Sequence, residues 1–303
     1  MPHLARRLPL SSHPDSRFHR LLPTVPASAP LPSATATLPP IVFSHGNSFP
    51  ASTYRVMLDS LRARGFAVHA IEKFGHDPRF PVTDNWPHLV EQLAEFTAPI
   101  ADAAGTAPFL VGHSLGGILS VMCASRHPLL ARGVVMIDSP IIDGWRAGTL
   151  GLVKRTPLMR RVSPGMVSRK RRDSWEDREA VFEHFRHKKA FARWDPQVLH
   201  DYIDHGTFVH GDARALAFDR DVETAIYDNL PDNIGRLLRS RPLQCPCAFI
   251  GGRQSVEMKR AGMAATLRLT RGRISMLDGT HLFPMEKPIA TAAAIEATLR
   301  NLL

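Results

Sequence analysis

Residues 110–117 read Leu110-Val111-Gly112-His113-Ser114-Leu115-Gly116-Gly117. A serine on an ordinary surface turn needs one glycine at most. Here Gly112 and Gly116 stand two residues to either side of Ser114, directly after the apolar run Phe109-Leu110-Val111. That run is short and bounded by Gly105 and Gly112, the form of a buried strand, and Ile118, Leu119, Val121 and Met122 follow it at helical spacing. Strand, Gly-x-Ser-x-Gly and helix together force a very tight turn in which Ser114 takes a strained backbone conformation, because a Cβ at either glycine would meet the neighbouring strand or helix. The turn lifts the hydroxyl clear of the sheet and sets it at a helix N-terminus, where the positive end of the dipole favours developing negative charge.

The same unit recurs outward from this point. Ile41-Val42-Phe43 runs into Ser44-His45-Gly46-Asn47, Phe66–Ile71 into Lys73–Asp77, and Gly133–Ile137 into Asp138-Ser139-Pro140. Near the C-terminus Cys247–Ile250 runs into Gly251-Gly252, and Arg273–Leu277 into Asp278-Gly279-Thr280-His281. Helical segments lie between the strands, with Tyr54, Met57, Leu58 and Leu61 on one apolar stripe and Leu89, Leu93 and Phe96 on another. Strands alternating with helices predict a mostly parallel sheet sandwiched by helices, and apolar runs without alternation predict that both its faces are covered. The polar turns then gather along the carboxyl edge of the sheet, where such folds bind ligands. A final helix is expected, with Ile289, Ala293, Ile295 and Leu299 facing inward.

Between about residues 141 and 242 the strand pattern disappears. Asp195 and Pro196 begin one helix there, striped by Val198, Leu199, Tyr202 and Ile203 and ended by Gly206; Ser174 with Asp177 marks the start of another. This insertion is expected to be a helical cap over the polar edge, dividing the core into residues 41–140 and 243–303. The first forty residues are dense in Pro, Ser and Ala, carry Arg6, Arg7, Arg17 and Arg20 against the single acid Asp15, and read as disordered. Leu8-Pro9-Leu10 is too short and too broken for a secretory signal.

A chain of 303 residues that is 44% hydrophobic can bury one large core, and no apolar run reaches the eighteen or more residues of a membrane-spanning helix. Three cysteines, Cys123, Cys245 and Cys247, with no second Cys or His pair at metal-ligand spacing, fit a reducing, cytoplasmic setting without a metal. The net charge of +10 comes without any nucleic-acid-binding signature, so no nucleic-acid partner is expected. From Arg146 to Arg172 the insertion holds nine Lys and Arg and no acid, which reads as a solvated face or as a surface for peripheral membrane contact or another anionic partner.

These residues together resemble the α/β-hydrolase family, over about residues 40 to 303. Gly112–Gly117 looks like its nucleophile elbow, Ser44-His45-Gly46-Asn47 like its oxyanion loop, and Gly279–Glu286 like its histidine loop. The resemblance implies the α/β-hydrolase fold and a serine hydrolase without a cofactor, in which Ser114 attacks the acyl carbon of a small-molecule ester and a histidine takes its proton. Of fifteen histidines, His281 is expected in that role because it follows the last strand; His113 reads as a packing residue and His45 as a shaper of the oxyanion loop. Oxyanion donors are expected from the backbone N–H of Leu115 and of Asn47, with Ser48 as the alternative. The acid departs from the commonest family pattern, because Gly251–Ser255 offers no Asp after the penultimate strand. Asp138, ending the preceding core strand, and Glu257, just past Gly252, both remain candidates. The substrate is expected to be a carboxylic ester, with carbon–carbon bond hydrolysis or a catalytically weak binding protein as alternatives on the same residues.

Overall fold

The structure is a computed structural model that describes residues 38–154, 156 and 165–303. Residues 1–37 of the segment read as disordered, and Arg155, Arg160 and Arg161 of the basic run, lie outside the described residues. The compact unit that holds the described residues begins at Leu38, shortly before the boundary read from sequence. Pro39 and Pro40 are already buried, and the Pro40 carbonyl accepts a hydrogen bond from the Phe109 N–H at 2.8 Å.

Among the described residues, strands β1 (Ile41–Ser44), β2 (Val68–Ala70), β3 (Phe109–His113) and β4 (Gly133–Ile137) belong to the main sheet. β5 (Ser174–Trp175), β6 (Thr207–His210) and β7 (Ala213–Leu216) form a small second sheet, and β8 (Cys247–Gly252) and β9 (Ile274–Leu277) complete the first. The main sheet has the order β2-β1-β3-β4-β8-β9 and is parallel throughout. All six of its strands fall where the apolar runs predict them.

Helices α1 (Arg55–Ala63), α2 (Pro87–Ala104) and α3 (Leu115–Arg126) connect the first four strands. The insertion carries α4 (Trp145–Lys154), α5 (Gly165–Ser168), α6 (Arg178–Arg186), α7 (Pro196–His205), α8 (Arg220–Asp228) and α9 (Ile234–Ser240). Beyond it come α10 (Val256–Ala261), α11 (Ala264–Thr270), α12 (Phe283–Glu286) and α13 (Pro288–Arg300). Successive side chains of β3 point to opposite faces: Phe109 and Val111 pack with Met57 and Leu61 of α1 and Ile295 and Leu299 of α13, while Leu110 packs with Leu93 of α2 and Leu119 and Met122 of α3. Covering both faces is what lets every strand position be apolar. On α13 the buried stripe runs through Thr291, Ala292, Ile295 and Leu299, and Ile289, expected inside, is 52% exposed.

The insertion departs from a purely helical cap. Thr207–His210 and Ala213–Leu216 pair as a hairpin, and Ser174–Trp175 adds to it as a third antiparallel strand. Ser174 therefore does not cap α6; Asp177 does, accepting from the Ala180 N–H at 2.8 Å. The helix from Pro196 to His205 is capped by Asp195 as the sequence predicts.

In register, Ser44 lies beside Gly112, His113 beside Ile137, and Gly252 beside Leu277, so the loops leaving these strands emerge along one edge. The contact that sets this edge is the close approach of α3 to β3 and β1. A Cβ at Gly116 would overlap the Ser44 carbonyl, and one at Gly112 would overlap the Gly116 carbonyl group. Gly116→Ala should therefore destabilise the fold by about 1–3 kcal/mol and lower the melting temperature by several degrees in calorimetry. Gly148→Ala, on α4 where an added Cβ meets nothing, should be neutral or slightly stabilising; equal losses at both positions would contradict this packing account.

Candidate active site

Ser114 is the N-cap of α3, with φ 53° and ψ −115°, and its N–H donates to the Ile137 carbonyl at 2.9 Å. It is a non-glycine residue in a region of backbone space that side chains rarely occupy, held there by strand and helix on either side. The hydroxyl lies 3.0 Å from Nε2 of His281, which the loop after β9 delivers. Nδ1 of the same imidazole lies 2.6 Å from Oδ2 of Asp138. Asp138 is fully buried, and its carboxylate also accepts from the Gly252 N–H at 2.8 Å and from the Ser255 hydroxyl at 2.6 Å. A carboxylate with those donors is an acceptor toward the ring, so Nδ1 carries the hydrogen and the Nε2 lone pair faces Ser114.

Of the two candidate acids, the one that meets His281 is thus Asp138. Glu257 is exposed and comes only to 3.4 Å from the Ser255 hydroxyl, whose hydrogen is directed at Asp138. Asp138, Glu257 and His281 also form a group whose ligand atoms lie within 4.8 Å of one another. The Asp138 oxygens are already engaged by three donors, so the cluster is built as a hydrogen-bonded unit rather than an open ligand set.

The loop after β1 supplies the opposite side of the site. Asn47 and Ser48 are buried, and the Ser48 N–H is occupied by the Asn47 side-chain oxygen at 3.1 Å. Among the described residues the backbone N–H groups of Asn47 and Leu115 meet no acceptor. His45 shapes this loop as expected: Nδ1–H donates to the Gly46 carbonyl at 2.8 Å and Nε2 accepts from the Phe74 N–H at 2.9 Å.

His113 does more than fill space. Its Nε2–H donates to the His281 carbonyl at 2.9 Å, and its Nδ1 accepts from the Tyr54 hydroxyl at 2.7 Å. Tyr54 in turn accepts from the Gly46 N–H at 2.9 Å. A chain of three hydrogen bonds thus runs beneath Ser114 from one loop of the site to the other. Sequence reasoning places Tyr54 only on a helical apolar stripe and misses Ser255 and Tyr54 as site residues. Tyr54 meets His113 across 59 residues of chain and Ser255 meets Asp138 across 117, and no local pattern signals either contact.

A cleft of about 620 Å³ opens at Ser114 and His281. Its wall combines Asn47, Phe49, Leu282 and Val256 with Lys189, Arg193 and Tyr227 from the insertion. The cations of the insertion are partly spent elsewhere. Lys154 pairs with Asp84 and Asp232, Arg169 with Asp228 at 2.6 Å, and Arg171 with Glu223 at 2.7 Å. Among the described residues no helix is long and apolar enough to cross a membrane.

The sequence model of the alpha/beta hydrolase family matches residues 41–294. This chain belongs to the alpha/beta hydrolase family. A pyrethroid hydrolase of Sphingobium wenxiniae is 32% identical over 107 residues, 34% of this chain and 36% of that protein. The chain thus matches only a little over a third of the length of its first curated relatives. Among solved structures, E-2-(acetamidomethylene)succinate hydrolase superposes with a TM-score of 0.69 at 20% identity, over 86% of this chain and 91% of that one. A structure from a study of carboxylesterases of the thaumarchaeon Nitrososphaera gargenis gives 0.58 at 20% identity, over 87% and 90%. At such identities the likeness establishes the shared fold.

Burial fixes two of the imidazoles as neutral. It pushes the His45 pKa down to about 4, and, with the His281 ring packed alongside, it holds His113 well below the usual histidine range. The unfolded chain titrates near 6.5, so the sign is set: above that pH nothing is lost, and below it the unfolded state takes up protons that the folded state refuses. Stability should fall as the pH drops from 6.5 toward 5, by up to ~1.4 kcal/mol per pH unit for each histidine. Urea midpoints across that range should show the fall, and His45→Gln should make it shallower; a flat wild-type profile would contradict buried neutral imidazoles.

Proposed function

We propose that this hydrolase cleaves carboxylic esters through an acyl-enzyme, with Ser114 as nucleophile, His281 as general base and acid, and Asp138 as the acid that orients and stabilises the imidazole. The reading is carried by one observation: the unbroken hydrogen-bonded chain from Ser114 Oγ through His281 to buried Asp138, at the floor of an open cleft. As Oγ attacks the acyl carbon, its proton passes to His281 Nε2, and the developing oxyanion is met by the Asn47 and Leu115 N–H groups, each worth about 2.7–4 kcal/mol by analogy with donor deletions. Collapse breaks the acyl C–O bond, and the imidazolium hands its proton to the departing alcohol. Water, deprotonated by the same nitrogen, then releases the acid. Asp138 keeps Nδ1 protonated, so that Nε2 is the basic atom throughout. The insertion acts as a cap, with Lys189, Arg193 and Tyr227 forming part of the substrate wall. The pyrethroid hydrolase and carboxylesterase names among similar proteins support an ester as the substrate class.

A fluorophosphonate probe and short p-nitrophenyl esters test this directly. Wild type should label covalently and hydrolyse the esters, Ser114→Ala should do neither, and His281→Ala should label far more slowly. Asp138→Asn should fold normally yet lose about ten-thousandfold in acylation rate, because the amide favours the wrong tautomer, while Glu257→Gln should be nearly silent. Folded wild type inert to both reagents would leave a binding protein on this fold, and a large loss at Glu257 would move the acid to that residue.

A further inference from the structure

The oxyanion loop is held by two different parts of the chain. Its first half is tied to the core, through His45 to Phe74 and through the Gly46 N–H to Tyr54. Its second half, Asn47 to Phe49, is gripped by the insertion. The Asn47 side-chain amide donates to the Glu223 backbone carbonyl at 3.0 Å, and the Ser48 hydroxyl donates to Glu223 Oε1 at 2.5 Å. Phe49 packs edge-on against Trp194 and Tyr202, with ring centroids 5.4 and 5.7 Å away. Ser48 itself is strained, with φ 78°, a conformation that persists only where its surroundings enforce it.

Glu223 is the centre of this grip, and a carboxylate buried to that depth needs a counter-charge. It has one. Its second oxygen, Oε2, accepts from Arg171 at 2.7 Å, and the other arm of that guanidinium donates to the buried Tyr202 hydroxyl at 2.8 Å. The Glu223 and Arg171 side chains are 6% and 13% exposed. Every polar atom of the Glu223 side chain is thus committed, one oxygen to the oxyanion loop and one to the insertion. A surface ion pair would serve equally well for solubility; a buried pair whose second oxygen holds a strained loop beside the reactive serine has a geometric task.

We propose that Glu223 and Arg171 are positioning residues, through which the insertion holds Asn47 and its backbone N–H in place beside Ser114. The inference rests on the reading of Asn47 as an oxyanion donor. It makes the insertion part of the catalytic geometry as well as a wall of the cleft, since an insertion that shifts takes Ser48 and Asn47 with it.

The test uses the full-length protein and variants that remove the pair without leaving a lone buried charge. The Glu223→Met/Arg171→Met double variant conserves side-chain volume and should fold, because replacing both partners of a buried pair by apolar groups is often neutral. Two readouts separate the possibilities. Amide hydrogen exchange across residues 45–49 should quicken at least tenfold in the double variant, with other core segments unchanged. In ester hydrolysis kcat should fall by about ten- to a hundredfold with KM nearly constant, the size expected when a donor is displaced by a fraction of its contact distance. Affinity for a boronic acid that mimics the tetrahedral adduct should fall in parallel. Glu223→Gln, which still offers an acceptor to Arg171, should recover part of the loss, and Ser48→Ala should lose part of it. A folded double variant with unchanged exchange at residues 45–49, or with faster exchange but wild-type kcat, overturns the proposal. Should the wild type hydrolyse no ester, the ester-hydrolase reading is what fails, and the exchange measurement still decides whether Glu223 and Arg171 hold the loop.

Discussion

The close approach of α3 to the sheet is the constraint on which the site depends. α3 lies so near β3 and β1 that positions 112 and 116 have no room for a Cβ. The chain must therefore reverse within one residue, and that residue, Ser114, is left with a positive φ and with its side chain at the sheet's edge. Nothing about a serine favours this conformation; packing on both sides enforces it. Once the hydroxyl is placed, the parallel register brings the other groups to the same edge, because β4 ends at Ile137 beside His113 and β9 at Leu277 beside Gly252, and the loops that follow carry Asp138 and His281. Asp138 repeats the device on a smaller scale, with φ 45° and a carboxylate fixed by the Gly252 N–H and the Ser255 hydroxyl.

Much of this was legible in the sequence, for identifiable reasons. The six core strands announce themselves because strands covered on both faces read as short, mainly apolar runs, with polar residues such as His69 and Ser275 on the edge strands β2 and β9, and Gly-x-Ser-x-Gly announces the turn because only glycine fits there. The choice of Asp138 over Glu257 was not legible. Both lie after strands on the same edge, and deciding between them needs the partners from distant segments that converge on Asp138. The hairpin of β6 and β7 was not legible because Phe208 and Val209 are both exposed, so no apolar alternation marks the strand that starts directly after Gly206 ends α7. Glu223 was illegible for a different reason: its partner Ser48 lies 175 residues away, and a single Glu on an amphipathic helix looks like any solvated acid.

The dense positive charge of the insertion changes meaning in the folded state. The run from Arg146 to Arg172 has no acid of its own, yet Arg169 and Arg171 find acids on α8, and Lys154 finds Asp232 on the segment after it and Asp84 before α2. Part of what reads in sequence as a basic patch is therefore the internal wiring by which the insertion is fastened. The aromatic group of Phe185, Phe191, Trp194 and Tyr202 adds apolar burial to the same fastening, and its contact with Phe49 brings that burial to the edge of the cleft.

The central claim is that one tight turn places the Ser114 hydroxyl between an imidazole held by Asp138 and two backbone donors. A crystal structure of the protein after reaction with a fluorophosphonate tests it most directly. The account predicts phosphorus bonded to Ser114 Oγ, with the phosphonyl oxygen within about 3.1 Å of both the Asn47 and Leu115 nitrogens. In that adduct His281 should remain bonded to Asp138. An adduct whose phosphonyl oxygen points away from both nitrogens, or whose His281 has left Asp138 for Glu257, would contradict it.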